Sequence, residues 1–451
     1  MTTGKGALAS MQIQRPSVLL ISIDAVRPDL LFEAERLGVS IPNIQKHFIR
    51  GGTIAEKGVK GVFPTFTYPP HHSMITGTYP SKHGIHNNLL FDPGGLVHKG
   101  AWNWFVSENV PTLWKLAKEN GYVVASACFP ASACAQGDYI IPEFWRDGTI
   151  YDNKLLNAMS IPQGIVLEME KELGMIPCGY NLEMQDDWKR LEVYSWLLEH
   201  KLKAHINSSP FFLSAYFASY DTTAHRHGVF SPEALETLEQ LDEIVGRLIG
   251  KVTELVGDNY IVCLASDHGM LGNRFCLHPN VLFAQQGLIE LDGDGKLKDW
   301  QVFSQRSGGT SEVRLKNPRD TAVYQQVKEI LFGLLEDPEN GLREVLTKEE
   351  CVTVRKGYPN ADFALIAQKG YELRDDCTGE YRTANINAAQ HGYDENYPEL
   401  KASFLLTGKE IPAGGKLGEI KLVDVAPTLA QLMGFEIPDA DGENILFRAE
   451  N

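Results

Sequence analysis

The 451-residue chain has no apolar run of membrane-spanning length, so no transmembrane helix is expected. It has no basic run either: 58 Asp and Glu outweigh 42 Lys and Arg, for a formal net charge of −16. That excludes the basic stripe from which a nucleic-acid groove or an anionic membrane surface draws its affinity. A phosphate-bearing small molecule remains compatible, provided metal or helix dipoles meet its charge locally. The seven cysteines form no CxxC pair, and several sit in apolar runs such as "VVASACF" and "YIVCLASDHG". They read as buried, reduced small hydrophobes rather than a disulfide framework. There is no internal repeat and no low-complexity tract. The start, "MTTGKGALASMQIQRPS", lacks the apolar core of a signal peptide. Residues 1–11 are therefore expected to be a leader or expression remnant before a start at Met11. The expected location is cytoplasmic, or periplasmic or secreted if a signal has already been removed.

What is present is an alternation of short apolar runs with helical patterns. The runs "VLLISID" (18–24), "YVVASAC" (122–128), "FFLSAYF" (211–217), "YIVCLASDH" (260–268) and "ASFLLTG" (402–408) are continuously apolar and rich in β-branched residues. Such runs predict strands buried on both faces, hence a mostly parallel sheet covered by helices and an α/β fold. The clearest helix opens at Ser231-Pro232, a capping residue followed by Pro at the first helical position. It sets Leu235, Leu238, Leu241, Val245 and Leu248 on one face. Residues 281–380 differ, with Gly/Asp turns ("LDGDGK", "SQRSGGTS") and a helix near 320–336. They are expected to form a small inserted α+β subdomain, with 12–280 and 381–451 making the core.

Three apolar runs end in carboxylates: Asp24, Asp221 and Asp267, the last followed by His268. One Asp after a strand commonly caps the next helix. In open α/β sheets, however, sites form beyond the carboxyl ends of strands, so these three can converge. Asp221 and His225 are four apart, one helical turn, and can face one ion. His391, in the polar loop "AAQHGYDENYP", completes a set of three carboxylates and three imidazoles. Such a mixed O/N set suits zinc best; manganese or iron also fits, and calcium is disfavoured.

In "FPTFTYPPHHSMITG", Pro69 and Pro70 can occupy the first turn of a helix ending near Gly77. Thr67 then stands at or near its N-cap. The hydroxyl there is either a plain cap or a group beside a divalent ion, able to ionise and attack a phosphoryl group docked at the helix terminus. His71 and His72 read as packing or surface residues, and His83 and His86 as structural. Asn88 is either a turn residue or an amide donor to a phosphoryl oxygen.

The ordered set "ISIDAVRPD", "FPTFTYPPHHSMITGTYPSKHGIHNN", "DTTAHRHG", "ASDHGM" and "QHGYDENYP", spread over residues 18 to 440, resembles the nucleotide pyrophosphatase/phosphodiesterase family of the alkaline phosphatase superfamily. The resemblance implies an alkaline-phosphatase-like core and two zinc ions about 4 Å apart that clamp the attacking and leaving oxygens. Asp24, Asp267, His268 and the Thr67 oxygen would hold one ion; Asp221, His225 and His391 would hold the other. Thr67 would form a phosphothreonine that water later hydrolyses, and Asn88 would stabilise phosphoryl oxygens. Tyr68 and Tyr216 match positions that contact the base of the leaving nucleotide, and the aromatics of "AWNWFVSENVPTLW" (101–114) either line the pocket or pack in the core. Departures are Tyr220 before Asp221, Ala224 in place of a Gly, and "TYPP" where relatives carry an Asn; these touch leaving-group specificity.

Charge counting adds an independent expectation. Two Zn²⁺ against three Asp and an ionised Thr67 leave a neutral cluster, suited to a monoanionic diester rather than a dianionic monoester. No Arg follows Thr67 within two turns, although Lys82 or Arg226 can fold in. Alternatives are a phosphonoacetate-hydrolase-like C–P hydrolase, a phosphomonoesterase of the same superfamily, or a non-catalytic metal-binding module. A sulfatase lacks its C/S-x-P-x-R motif here, and a serine hydrolase its G-x-S-x-G elbow. The natural leaving group and the oligomeric state are open.

Overall fold

The computed structural model describes residues 15–145, 153–179, 182–385 and 387–446. The leader expectation for residues 1–11 lies outside the described residues. In chain order the strands used below are β1 (Ser17–Ile23), β2 (Thr53–Ile54), β3 (Val123–Ala127), β4 (Tyr139–Ile141), β5 (Phe211–Phe217) and β6 (Tyr260–Ala265). There follow β7 (Val302–Ser307), β8 (Thr310–Leu315), β9 (Leu342–Thr347) and β10 (Phe363–Ala367), then β11 (Phe404–Gly408) and β12 (Gly415–Lys416). Each of the five apolar runs has become a strand of one eight-stranded sheet, ordered β12-β2-β11-β6-β1-β5-β3-β4. Every neighbouring pair is parallel except the two that β11 makes, with β6 and with β2.

The strands read as continuously apolar because both faces are covered. Alternate residues point to opposite sides. Leu19, Ile21, Leu213 and Ala215 join one buried cluster, and Val18, Leu20, Phe212 and Cys263 the other. Register then does the positioning. Ser22 lies opposite Tyr216 of β5 on one side and Ala265 of β6 on the other, so the carboxyl ends of β1, β5 and β6 finish side by side.

The helices that matter are α1 (Tyr68–Thr76), α2 (Met184–Trp196), α3 (Ser219–His227), α4 (Pro232–Val256), α5 (Thr321–Gly333) and α6 (Val425–Leu432). α4 starts where its capping residue predicts: the Ser231 hydroxyl accepts from the Ala234 N–H at 3.2 Å, with Pro232 at the first helical position. Its stripe of Leu238, Leu241, Val245 and Leu248 is buried against the sheet. α6 closes the opposite face. Between β6 and β11 the chain leaves the core and builds the antiparallel sheet β7-β8-β10-β9, flanked by α5. The apolar residues of this second core run from Leu271 to Leu400, so the packing unit reaches beyond residues 281–380 at both ends. Cys128, Cys178, Cys263, Cys276 and Cys351 are buried, whereas Cys134 is exposed and Cys377 half-buried.

Leu241 is fully buried on α4. Leu241→Ala is expected to cost ~2–5 kcal/mol, read as a lower denaturation midpoint; an unchanged midpoint would show that α4 does not carry the core packing described.

Candidate active site

Asp24 is the first residue past β1, and its N–H continues the ladder to the Phe217 carbonyl at 2.9 Å. The chain then turns sharply: Ala25 takes a left-handed φ of 62°, unusual for a residue with a side chain. That turn aims the Ala25 N–H at Asp267 Oδ1, 3.2 Å away. Asp221 sits in the first turn of α3, just after β5, with His225 one turn on. Asp267 and His268 follow β6, and His391 comes from the return path between the inserted sheet and β11.

These groups meet. His268 Nε2 lies 3.1 Å from Asp267 Oδ2 and 3.3 Å from Asp24 Oδ1. Asp221 Oδ1 lies 3.4 Å from His225 Nε2 and 3.6 Å from His391 Nε2. The two halves are joined by His268 and His391, whose rings stack with centroids 3.9 Å apart. In all three imidazoles Nδ1 faces a backbone carbonyl: Ala389 for His225 at 2.9 Å, Gly269 for His268 at 3.0 Å and Thr65 for His391 at 3.4 Å. A ring that donates Nδ1–H to a carbonyl keeps the lone pair of Nε2 for a metal.

The electrostatics call for a cation. Asp24 Oδ1, Asp221 Oδ1, Asp267 Oδ2 and His268 Nε2 are buried with no hydrogen-bond partner among the described residues. Folded proteins leave few such atoms, and here four converge. Burial, then the neighbouring charges of Asp267 and Asp221, push the Asp24 carboxyl well above its ordinary range. Burial likewise raises Asp221. Burial would also raise Asp267, but His268 and His71 hold it below its ordinary value. Burial, then His268 and His225, drive His391 well down, so its ring is neutral. Within each of two groups, Asp24–Asp267–His268 and Asp221–His268–His391, the donor atoms lie within 4.8 Å of one another. Oxygen and imidazole donors of this kind fit a divalent cation of the zinc type.

Thr67 precedes α1. Its φ of −73° and ψ of −54° are already helical, and its side chain makes no capping bond, so the plain-cap reading does not describe it. Thr67 lines a cavity with Asp24, Asp221, His225, His391 and Asn88. Asn88 Oδ1 accepts from the Tyr68 N–H at 2.8 Å, which leaves its amide NH₂ as the free end. Because Tyr68 is bonded, Pro69 and Pro70 have no N–H, and the His71 N–H returns to the Thr67 carbonyl, no N–H from Tyr68 to His71 is free for a phosphoryl group. The Asn88 amide NH₂ is the side-chain donor that its bond to Tyr68 leaves at the cavity.

His71 is wholly buried, with Nδ1 2.8 Å from the Thr67 carbonyl and 3.3 Å from Asp267 Oδ2, and Nε2 2.9 Å from Ser22 Oγ. It packs, as one reading had it, but between the threonine and Asp267 of the candidate donor set. His72 accepts from the Ser107 N–H at 3.1 Å, and burial lowers it to about 3. His83 bonds Ser73 at 3.0 Å, and His86 faces Glu312 of β8 at 3.3 Å; both are structural.

The cavity has a volume of about 360 Å³. Tyr68 and Tyr216 both line it but are almost fully buried. The Tyr68 hydroxyl donates to Glu143 Oε2 at 2.7 Å, and that of Tyr216 donates to Asp24 Oδ2, where it orients the carboxylate. Of the 101–114 aromatics, Trp102 lines the cavity, whereas Trp104 and Trp114 are buried in packing. Lys82 is turned away toward Asp439 and Asp441, and Arg226 lines the cavity while paired to Glu183 at 2.7 Å. The sequence reading missed Glu143, Trp145, Arg306 and Arg374 in the wall. None belongs to a motif, and the two arginines come from the inserted part of the chain.

The model of the type I phosphodiesterase / nucleotide pyrophosphatase family matches residues 18–394. The chain belongs to this family. Among curated relatives, bis(5'-adenosyl)-triphosphatase ENPP4 of Bos taurus is 24% identical over 427 residues, 93% of this chain and 79% of that one. Human ectonucleotide pyrophosphatase/phosphodiesterase family member 7 is 23% identical over 464 residues, 97% and 84% of the two chains. Among solved structures, murine ENPP5 in an inactive variant complexed with AMP superposes with a TM-score of 0.65 at 19% identity, covering 95% and 97%. The fold is thus alkaline-phosphatase-like, as expected. Membership makes the protein a phosphodiesterase/nucleotide pyrophosphatase-type hydrolase of a metal-dependent family, which sets aside the non-catalytic module. No helix among the described residues is long and apolar enough to cross a membrane.

Two outcomes follow from the geometry. Metal-stripped protein should gain stability on adding zinc, about 2.7 kcal/mol at a hundredfold excess over Kd; Asp24→Asn should lose most of that gain, and an undiminished shift would place the ion elsewhere. Burial pushes Glu143 up to about 7 from its ordinary 4.5, although Arg190 and Tyr68 oppose the shift. Between those values the folded protein keeps a proton that the unfolded chain has released, so stability should fall as pH rises from 4.5 to about 7. Glu143→Gln should flatten that part of the pH–stability curve; coincident curves would mean that Glu143 is ionised throughout.

Proposed function

We propose that the protein hydrolyses phosphodiester or pyrophosphate bonds of nucleotide-like substrates through a phosphothreonine on Thr67, at a site holding two zinc ions. One observation carries the reading: an uncommitted hydroxyl borders the same cavity as a cluster of buried carboxylate and imidazole atoms that lack partners. Asp24, Asp267, His268 and the Thr67 oxygen would hold one ion; Asp221, His225 and His391 would hold the other. When bound, the ions supply positive charge that favours ionisation of the hydroxyl and offsets charge on the phosphoryl oxygens.

The chain's own groups account for the rest. Thr67 Oγ1 forms a bond to phosphorus as the bond to the leaving oxygen breaks, and water then cleaves the Thr67 ester and restores the hydroxyl. The Asn88 NH₂ donates to a phosphoryl oxygen, held for the purpose by the Tyr68 N–H on its other end. His71 fixes the Thr67 carbonyl and so the turn that presents the hydroxyl. Trp102 and Trp145, with rings 5.0 Å apart, offer apolar surface to a base or other flat group. Relatives named for bis(5'-adenosyl)-triphosphate hydrolysis or solved with AMP are consistent with such a substrate. The neutral charge count supports a diester or anhydride over a monoester.

Thr67→Ala should lower hydrolysis of bis(p-nitrophenyl) phosphate by about 1,000-fold or more, and a chelator should abolish it in the wild type. Acid quenching during turnover should yield a phosphorylated peptide containing Thr67. Full activity in the variant would remove Thr67 from the mechanism.

A further inference from the structure

The inserted part of the chain brings two cations to the cavity that the mechanism above leaves idle. Arg306 lies in β7, and Arg374 follows the short strand Tyr371–Leu373. Both line the main cavity and also a second chamber of about 100 Å³. The chamber shares Phe66, Asn88, Trp102 and Gln390 with the main cavity, so it opens next to the residue before Thr67 and next to the proposed phosphoryl donor. Its volume is about three times the ~30 Å³ share of a liquid water. That leaves room for a compact oxyanion.

The two side chains have donors to spare. The Arg306 backbone is fixed, its N–H donating to Asp375 Oδ1 at 2.6 Å and its carbonyl accepting from Asn87 at 3.0 Å. Its guanidinium makes no hydrogen bond among the described residues, and Asp375 stands 3.9 Å from Nε. Arg374 commits Nη1 to Glu372 Oε1 at 2.9 Å. The other oxygen of Glu372 is already taken by Asn273 and Gln390, at 2.8 and 2.7 Å, so Glu372 holds Arg374 in place without using its remaining donors. Two guanidinium forks with free N–H groups beside a small chamber suit bidentate recognition of a phosphate or carboxylate. A simple diester has nothing to place there, because its single negative charge is met at Thr67.

We infer that Arg306 and Arg374 form a subsite for a second anionic group close to the scissile phosphorus, namely a further phosphoryl group of a polyphosphate chain. Resting on the phosphodiesterase/pyrophosphatase reading, this narrows the substrate to pyrophosphate-type compounds over plain diesters. A carboxylate shares the recognition chemistry and is separated by the test.

The test compares the zinc-loaded wild type with the double variant Arg306→Ala/Arg374→Gln, in which Gln keeps a donor for the buried Glu372. ATP and the p-nitrophenyl ester of thymidine 5'-phosphate both offer a nucleotidyl group, but only ATP carries further phosphoryl groups. The double variant should lose about 10- to 100-fold in kcat/KM for ATP and stay within twofold of wild type on the ester. Equal losses on both, or no loss on ATP, would overturn the subsite. Calorimetric binding of pyrophosphate and of malonate to both proteins reads the subsite without turnover. Weaker pyrophosphate binding in the variant supports it. A loss confined to malonate overturns the phosphoryl assignment in favour of a carboxylate, and unchanged binding of both overturns the subsite itself. If the wild type cleaves neither nucleotide compound, the proposed function fails, and the binding arm alone decides the subsite.

Discussion

Three carboxylates gathered around His268 at one end of the sheet, each with a shielded oxygen that has no hydrogen-bond partner among the described residues, are the constraint around which this molecule is arranged. Asp24, Asp221 and Asp267 are brought together because β1, β5 and β6 are parallel, adjacent and in register, so their chain ends arrive at one place. An isolated buried carboxylate costs several kcal/mol, and neighbouring like charges add to that cost. The surroundings satisfy one oxygen of Asp24 through the Tyr216 hydroxyl and one of Asp267 through the Ala25 N–H, and leave the oxygens facing the site without partners. The imidazoles follow the same logic, each with one nitrogen tied to a backbone carbonyl and the other turned inward. An arrangement so costly without a cation and so well oriented for one is built to be completed by metal.

Thr67 and Asn88 are set by a different device. Two prolines at the start of α1 remove two of the N–H groups that a helix terminus normally presents, and that of Tyr68 is used by Asn88. The side chain of Asn88 is thereby fixed, with its amide NH₂ end left over at the cavity. The left-handed Gly77 then ends α1.

Core and insertion divide the work. The eight-stranded sheet and the segments that leave its carboxyl edge supply Asp24, Asp221, His225, Asp267 and His268, the residues proposed to hold the metal. The segment between β6 and β11 supplies His391, which completes the candidate donor set, together with Arg306 and Arg374, which line the cavity. Such a layout lets leaving-group preference change through the insertion while the sheet and its carboxylates stay as they are.

Much of this was legible in the chain. Buried parallel strands declare themselves as unbroken apolar runs, and all five such runs are core strands. Ser231-Pro232 marks the start of α4, and the four-residue spacing of Asp221 and His225 requires only one turn of helix to bring them together. These are local signals: burial on two faces, a cap, a helical period. Glu143, Trp145, Arg306 and Arg374 reach the cavity, and His71 reaches Asp267, only because distant segments pack against one another. The extent of the second core, from Leu271 to Leu400, depends in the same way on which apolar residues find each other in space. The sequence by itself determined which elements form and which chemical groups end them. Only the tertiary structure decided which side chains line the cavity and how many of their donors remain free, because both depend on neighbours far along the chain.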